Sequence, residues 1–338
     1  MVKVAINGFG RIGRAFLRLA IENKEIEIVA INDLADLENL AYLLRHDSAY
    51  GLFPHEVEVS GDKMIVGGRE IKFLSEREPA NLPWADMDID VVVESTGFFA
   101  DYEKANAHIT AGAKKVVISS PVKDASDGGV PGATVLMGVN PEKLQTCSVS
   151  ANASCTTNAA SPVVSIMEET LDVKKAILNT IHAVTATQSL VDGPSPKDFR
   201  KNRAGIANMI PTTTGAAEAT TKAVKGIEFF DGISIRIPIL VGSLVDITFV
   251  SGHDTTVEEV NEIFRKASKE DRWKGIFTVS EEPLVSSDIV GNTHASIIDL
   301  QMTRVVGGNL VKVLSWYDNE MGYTNTLVRH VLATAKNI

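Results

Sequence analysis

The first thirty-three residues constrain the fold more than any other part of this chain. Residues 2–6 are apolar at nearly every position, Gly8-Phe9-Gly10-Arg11-Ile12-Gly13 follows, residues 11–23 carry a helical pattern, and residues 26–32 form a second apolar run ended by Asp33. A GxGxxG on its own arises often by chance. Between a strand and a helix, with an acid twenty residues after Gly13, it is specific. The three glycines permit a tight turn, close approach of a pyrophosphate and close helix–strand packing, while Asp33 accepts hydrogen bonds from a ribose. The competing reading is a purely structural glycine-rich turn. A carboxylate at the ribose position repels the extra phosphate of NADP, so the expected cofactor is NAD.

The first half continues in the same style. Residues 91–95, 116–119 and 134–137 are further apolar runs, and residues 37–44 and 101–111 are helix-like. Near-continuous apolar strands alternating with helices suit a parallel sheet covered on both faces. After about residue 152 the texture changes. A Thr/Pro/Gly/Arg-rich segment, residues 185–215, lacks regular periodicity, as functional loops in compact proteins do. Alternating runs at 233–238 and 244–250 and an amphipathic helix at 255–269 follow, with Val257, Val260, Ile263, Phe264 and Ala267 on one face. The expected fold class is therefore α/β: a doubly wound (Rossmann) parallel-sheet domain, then an α+β domain with a mainly antiparallel sheet.

Composition narrows the function classes. The formal net charge of −10 gives no overall attraction to nucleic acid or anionic membranes. No apolar run reaches the roughly 20 residues that span a bilayer, and the N-terminus does not read as a signal peptide, so a cytoplasmic soluble protein is expected. The two cysteines, Cys147 and Cys155, are not in C-x-x-C spacing, and no Cys/His cluster suggests a metal site. A catalytic thiol in a reducing compartment fits best.

Cys155 stands in Ala-Asn-Ala-Ser-Cys-Thr-Thr-Asn, ahead of a helix-like run over residues 159–171. A thiol at a helix N-terminus faces the positive end of the backbone dipole, which favours the nucleophilic thiolate. His182 is the candidate base, although either residue alone is more often an ordinary core side chain. Arg200, Arg203 and Arg236 lie among Thr185, Thr187 and Thr212-Thr213-Thr214-Gly215, the hydroxyls, amides and guanidinium groups that phosphate oxyanions need. Singly, each arginine reads as a surface ion-pair partner, except Arg236, which sits inside an apolar strand.

Read in order, NGFGRIG, Asp33, ESTG at 94–97, ASCTTN, His182 followed by TATQ, PTTTGAA at 211–217 and WYDNE at 316–320 resemble the phosphorylating glyceraldehyde-3-phosphate dehydrogenases along essentially the whole chain. The resemblance implies NAD-dependent oxidation of glyceraldehyde 3-phosphate to 1,3-bisphosphoglycerate through a thiohemiacetal and thioester on Cys155, with His182 as its proton partner. It implies Thr185 and Arg236 for the substrate phosphate and Ser154, Thr156, Arg200, Thr214 and Gly215 for the attacking phosphate. The implied cofactor shell is Gly8, Gly10, Arg11, Ile12, Gly13, Asp33, Arg77, Thr96, Ser119 and Asn319, the last orienting the nicotinamide carboxamide. Gly193-Pro194 resembles the NAD-specific members. It further implies an NAD-binding domain at 1–151 completed by a C-terminal helix at 322–338, a catalytic domain at 152–321, and a homotetramer in which residues 185–203 pack against a neighbour's cofactor site.

Four positions depart from the family pattern. Ala159 stands where a second cysteine is common, Glu218 replaces a lysine after GAA, Pro238-Ile239-Leu240-Val241-Gly242 replaces Pro-Thr-Pro-Asn-Val, and Met321 replaces an aromatic. The nearest alternative is erythrose-4-phosphate dehydrogenase, whose members typically lack the Thr-Gly-Ala-Ala segment present here. A non-catalytic NAD-binding interaction protein and a Cys–His hydrolase are alternatives of other classes.

Overall fold

The computed structural model describes residues 1–122, 129–194 and 198–338. The chain divides into one unit formed by Met1–Ala153 and Thr324–Ile338, and another formed by Ser154–Tyr323.

The first unit is built on a nine-stranded sheet. In spatial order it runs Gly132–Thr134, Val149–Ala151, Lys115–Ile118, Val91–Glu94, Val2–Asn7, Ile26–Asn32 and Arg69–Leu74, all parallel. Lys63–Val66 and Val57–Ser60 then extend it antiparallel as a meander. Strand residues alternate between the two faces. Val4 and Ile6 pack with Phe16, Leu17 and, from the C-terminal helix Met321–Ala335, Leu327 and Val331. Ala5 and Val92 pack on the opposite face with Trp84 and Tyr102. Burial on both faces explains the absence of polar alternation in these strands.

Three local differences from the sequence reading have physical causes. The run at 134–137 is strand only at Thr134, because Asn140 Oδ1 takes the N–H of Leu136 at 2.7 Å and the chain turns there. The single helix expected over 101–111 is two short ones, Tyr102–Ala105 and Ala107–Thr110. The meander over residues 57–74 was not anticipated, although Gly61, Gly67 and Gly68, all at positive φ, mark its turns.

The second unit carries an eight-stranded sheet in the order Ile210–Thr213, Phe230–Arg236, Lys175–His182, Ser243–Val250, Leu310–Tyr317, Ser296–Asp299, Phe277–Ser280, with Arg304–Val306 beside Leu310–Tyr317. Most of its neighbours are antiparallel, but Phe277–Ser280 runs parallel to Ser296–Asp299, and Lys175–His182 and Phe230–Arg236 run parallel in a register that pairs His182 with Arg236. Alternation along Ser243–Val250 buries Ser243, Val245, Ile247 and Phe249 on one face. Ile177 and Ile233, on neighbouring strands, are 59% and 50% exposed. The helix Cys155–Leu171 is buried along most of its length. Among the described residues, no helix is long and apolar enough to cross a membrane.

Candidate active site

In the first unit the glycine turn joins Val2–Asn7 to the helix Arg11–Ala20. A Cβ on Gly8, whose φ is +95°, would lie 2.6 Å from the Thr96 nitrogen, and one on Gly13 would lie 2.2 Å from the Gly8 carbonyl oxygen. Those two glycines are demanded by the protein's own packing. Gly10 is not: a Cβ there would meet nothing within 4 Å. Gly10 opens instead on a cleft of about 480 Å³ lined also by Gly8, Asp33, Arg77 and Thr96. Gly10 also caps the helix without any side-chain bond, so the helix itself supplies no acceptor for its first-turn N–H groups, Ile12 included. A cradle of this kind fits a pyrophosphate.

Asp33 is held rigidly at the cleft, accepting the Phe9 N–H at 2.7 Å and the Ala35 N–H at 2.9 Å. Arg11 turns its guanidinium to the Asp47 carboxylate, at 3.1 and 3.3 Å. Arg77 is exposed on the cleft wall. Thr96 gives both its N–H and its hydroxyl to Glu94. Ser119, just past the strand Lys115–Ile118, bonds its N–H to the Glu94 carbonyl.

In the second unit Cys155 is the first residue of its helix. Ser154 caps that helix by accepting the Thr157 N–H at 3.0 Å and pairs its hydroxyl with that of Thr157 at 2.7 Å. Just ahead, Ala153 adopts φ 56°, a left-handed conformation uncommon for alanine. Cys155 Sγ lies 3.2 Å from His182 Nε2. His182 ends its strand, is 3% exposed, and packs edge-on against the Tyr317 ring at 6.0 Å. Arg236, its partner in the adjacent strand, places Nη1 2.8 Å from His182 Nδ1.

Burial first, and the Arg236 charge second, push the His182 imidazole down to about 3. Crowding around the sulfur pushes the Cys155 thiol up, against the Arg236 charge and the Thr156 N–H, which lower it. The expected favouring of thiolate at the helix start is thus outweighed by desolvation in the free protein.

The remaining anion-type residues are distributed unevenly. Thr185 bonds its hydroxyl to Thr187 at 2.9 Å. Thr214 accepts the Ala216 N–H, and Gly215 is the exposed N-cap of the helix Ala216–Ala223. The Thr156 hydroxyl is turned inward to the Tyr317 hydroxyl at 2.9 Å. Arg200 is exposed, and no hydrogen bond joins it to Cys155 or His182. Between Arg200 and Pro194, residues 195–197 of the long loop lie outside the described residues.

Asn319 is buried, and its Oδ1 accepts from the Gly242 N–H at 3.2 Å and the Ser243 hydroxyl at 3.1 Å. Both donors fix the amide's orientation, leaving its NH₂ to donate elsewhere. Gly242 belongs to the segment that departs from the family pattern. Its φ of +96° and the Ser286 carbonyl, 2.5 Å from where a Cβ would be, explain the glycine. Glu218 is paired with Lys222 at 2.8 Å, Ala159 is fully buried, and the Met321 N–H bonds to Asp318. Sequence reasoning missed Ser243 and Tyr317. Tyr317 had a signal in its WYDNE context; Ser243 had none, since its partners Ala183 and Asn319 are distant in sequence.

A glycine-turn cleft that fits a dinucleotide marks a nucleotide-linked dehydrogenase, and the other unit holds a thiol bonded to an imidazole. Comparison with known proteins is more specific. The family model described as the glyceraldehyde 3-phosphate dehydrogenase NAD binding domain matches residues 2–102, and the model for the C-terminal domain matches residues 154–319. The chain is 47% identical to glyceraldehyde-3-phosphate dehydrogenase 1 of Bacillus cereus and 46% identical to glyceraldehyde-3-phosphate dehydrogenase of Thermotoga maritima, over 97% of both chains in each case. It is 44% identical to the glyceraldehyde-3-phosphate dehydrogenase of Mycobacterium avium over 100% of this chain and 99% of that one. The chain belongs to the glyceraldehyde 3-phosphate dehydrogenase family.

Proposed function

We propose that the protein oxidises D-glyceraldehyde 3-phosphate with NAD and inorganic phosphate to 1,3-bisphosphoglycerate, in glycolysis and gluconeogenesis. The observation that carries this reading is the 3.2 Å approach of Cys155 Sγ to His182 Nε2 at the start of a helix, in a family member whose other unit is an NAD-binding domain.

Cys155 attacks the aldehyde carbon, forming a thiohemiacetal. His182 takes the hydroxyl proton as the carbon gives up its hydride, and the carbon becomes a thioester on Cys155. Bound NAD supplies the hydride acceptor. Gly8, Gly10, Arg11, Ile12, Gly13, Asp33, Arg77, Thr96 and Ser119 would hold it, and the NH₂ of Asn319 would orient the carboxamide. Phosphate oxygen attacks the thioester, the C–S bond breaks, and the acyl phosphate leaves with Cys155 restored. Thr185 and Arg236 hold the substrate phosphate, while Ser154, Thr156, Arg200, Thr214 and Gly215 form the second anion pocket. In the free protein the Ser154 hydroxyl also caps the helix and the Thr156 hydroxyl also bonds Tyr317.

A homotetramer in the cytoplasm completes the proposal. The half-exposed isoleucines of the second unit's sheet, Ile177 and Ile233, support burial against another copy. The test is NAD reduction with glyceraldehyde 3-phosphate, with and without phosphate, beside erythrose 4-phosphate. Full activity without phosphate or arsenate would overturn the phosphorylating reading in favour of the erythrose-4-phosphate alternative.

A further inference from the structure

His330, on the helix Met321–Ala335, is fully buried and takes no part in the proposed chemistry. Thr326 stands one turn earlier on the same face of that helix. Both reach a single side chain, that of Asn152. His330 Nδ1 lies 3.0 Å from the Asn152 Oδ1, and the Asn152 Nδ2 donates to the Thr326 hydroxyl at 3.1 Å. Because the amide turns its nitrogen to Thr326, its oxygen faces the ring, and Nδ1 must carry the imidazole proton. Nε2 then accepts from the Ser150 hydroxyl at 2.8 Å, nearer than the Val116 carbonyl that the same hydroxyl approaches at 3.4 Å. Ser150 and Asn152 are two apart in extended chain, so they share a face and one ring bridges them.

Stability alone is a poor reason for this cluster. A hydrocarbon side chain would fill the same space without stripping water from an imidazole and an amide. What the cluster specifies is orientation. Asn152 also gives its backbone N–H to the Ile118 carbonyl at 2.9 Å, so its main chain and its side chain are both fixed. The next residue, Ala153, is buried with a φ of +56°. An alanine keeps that left-handed conformation only where its surroundings impose it. Ser154 is extended and caps the following helix through the Thr157 N–H, and Cys155 is the first residue of that helix. Between the clamped amide and the thiol-bearing residue stand a strained turn and a cap.

We propose that His330 is a positioning residue for Cys155: by holding the Asn152 amide it enforces the left-handed turn at Ala153, which sets Ser154 in its capping position and fixes the first turn of the helix, and with it the sulfur, against His182. The inference rests on the reading of Cys155 as the nucleophile. Without the clamp the turn at Ala153 relaxes, the cap weakens and the approach of Cys155 to His182 loosens.

Two amide side chains divide the ring's two bonds and so supply the test. In His330→Asn the amide nitrogen replaces Nδ1 and keeps the bond to Asn152. In His330→Gln the longer amide reaches the place of Nε2, keeping the bond to Ser150 and giving up Asn152. Each variant loses one bond, so a role in stability alone predicts that they behave alike. The measurements on the full chain are the rate at which iodoacetamide alkylates Cys155, followed by the mass of the peptide that carries it so that Cys147 does not count, and kcat and KM for NAD. His330→Gln should slow alkylation and lower kcat roughly five- to tenfold, the scale of one lost hydrogen bond, while His330→Asn restores both to within about twofold. The KM for NAD should hold in both, since other residues line the cofactor cleft. Equal rates for the two variants, or a slow His330→Asn beside an unaltered His330→Gln, overturn the proposal. Should His330→Gln fail to fold, Thr326→Val removes the acceptor of the Asn152 Nδ2 at nearly constant shape, and unslowed alkylation there overturns it. Failure of the unaltered protein to reduce NAD with glyceraldehyde 3-phosphate would instead overturn the catalytic reading, while the alkylation rates still report on the clamp.

Discussion

Ser243 donates its hydroxyl to Asn319 Oδ1 at 3.1 Å while accepting the N–H of Ala183 at 3.1 Å, so one side chain ties the residue after His182 to the amide proposed to orient the nicotinamide. Ser243→Ala should raise the KM for NAD roughly five- to tenfold, the ~1 kcal/mol of one hydrogen bond, with a smaller change in kcat. Steady-state kinetics and a fluorescence titration of NAD measure it. An unchanged KM would show that Gly242 alone holds Asn319.

Cys155→Ser should abolish turnover while leaving NAD binding largely intact, because the cofactor cleft lies among residues of the other unit. Retention of substantial dehydrogenase activity would refute the assigned nucleophile.

Asp33→Gly should weaken NAD selectivity and admit NADP. Asp33 also accepts the Phe9 and Ala35 N–H groups, so some stability is lost with it. The comparison to make is the ratio of kcat/KM for the two cofactors, and an unchanged ratio would count against a ribose role.

Glu94 is 1% exposed and accepts four hydrogen bonds, from Asn7 Nδ2 at 2.6 Å, His108 Nε2 at 3.1 Å, Thr96 N–H at 2.8 Å and the Thr96 hydroxyl at 2.5 Å. Trp84 donates its indole N–H to His108 Nδ1 at 3.0 Å, which fixes the His108 proton on Nε2, toward Glu94. Glu94→Gln turns an NH₂ toward groups that are themselves donors. It should cost roughly 3 kcal/mol in denaturant unfolding, as breaking buried charged networks does. A loss within experimental error would mean that the site relaxes around the amide.

His330 is fully buried, its Nδ1 3.0 Å from Asn152 Oδ1 and its Nε2 2.8 Å from the Ser150 hydroxyl, and burial pushes it down to about 3. An unfolded histidine takes up a proton near its ordinary 6.5, well before the folded one does. The stability tied to neutral His330 is thus complete above pH 6.5 and lost as pH falls toward 3, up to roughly 5 kcal/mol. His330→Gln should flatten the dependence of unfolding free energy on pH across that window. An unaltered slope would refute it.

Much of this protein is legible from local pattern. The glycine turn, Asp33 and the doubly buried strands announce a nucleotide domain because each signal is set by neighbours a few residues apart. Ala-Ser-Cys-Thr-Thr-Asn before a helical run marks a thiol at a helix start for the same reason. The meander over residues 57–74 could have been read from its glycines, whereas the break of the 101–111 helix and the early end of the strand at Thr134 depend on particular side-chain and turn bonds.

What the sequence alone determined, then, is the class of each unit and which thiol and imidazole to look at, Cys155 and His182. Only the tertiary structure decided how they meet. Parallel pairing of Lys175–His182 with Phe230–Arg236 puts a guanidinium on His182 Nδ1, and burial pushes the Cys155 thiol up, against the effect expected of the helix dipole. Strand register and desolvation are properties of the assembled sheet, and no window of neighbouring residues contains them.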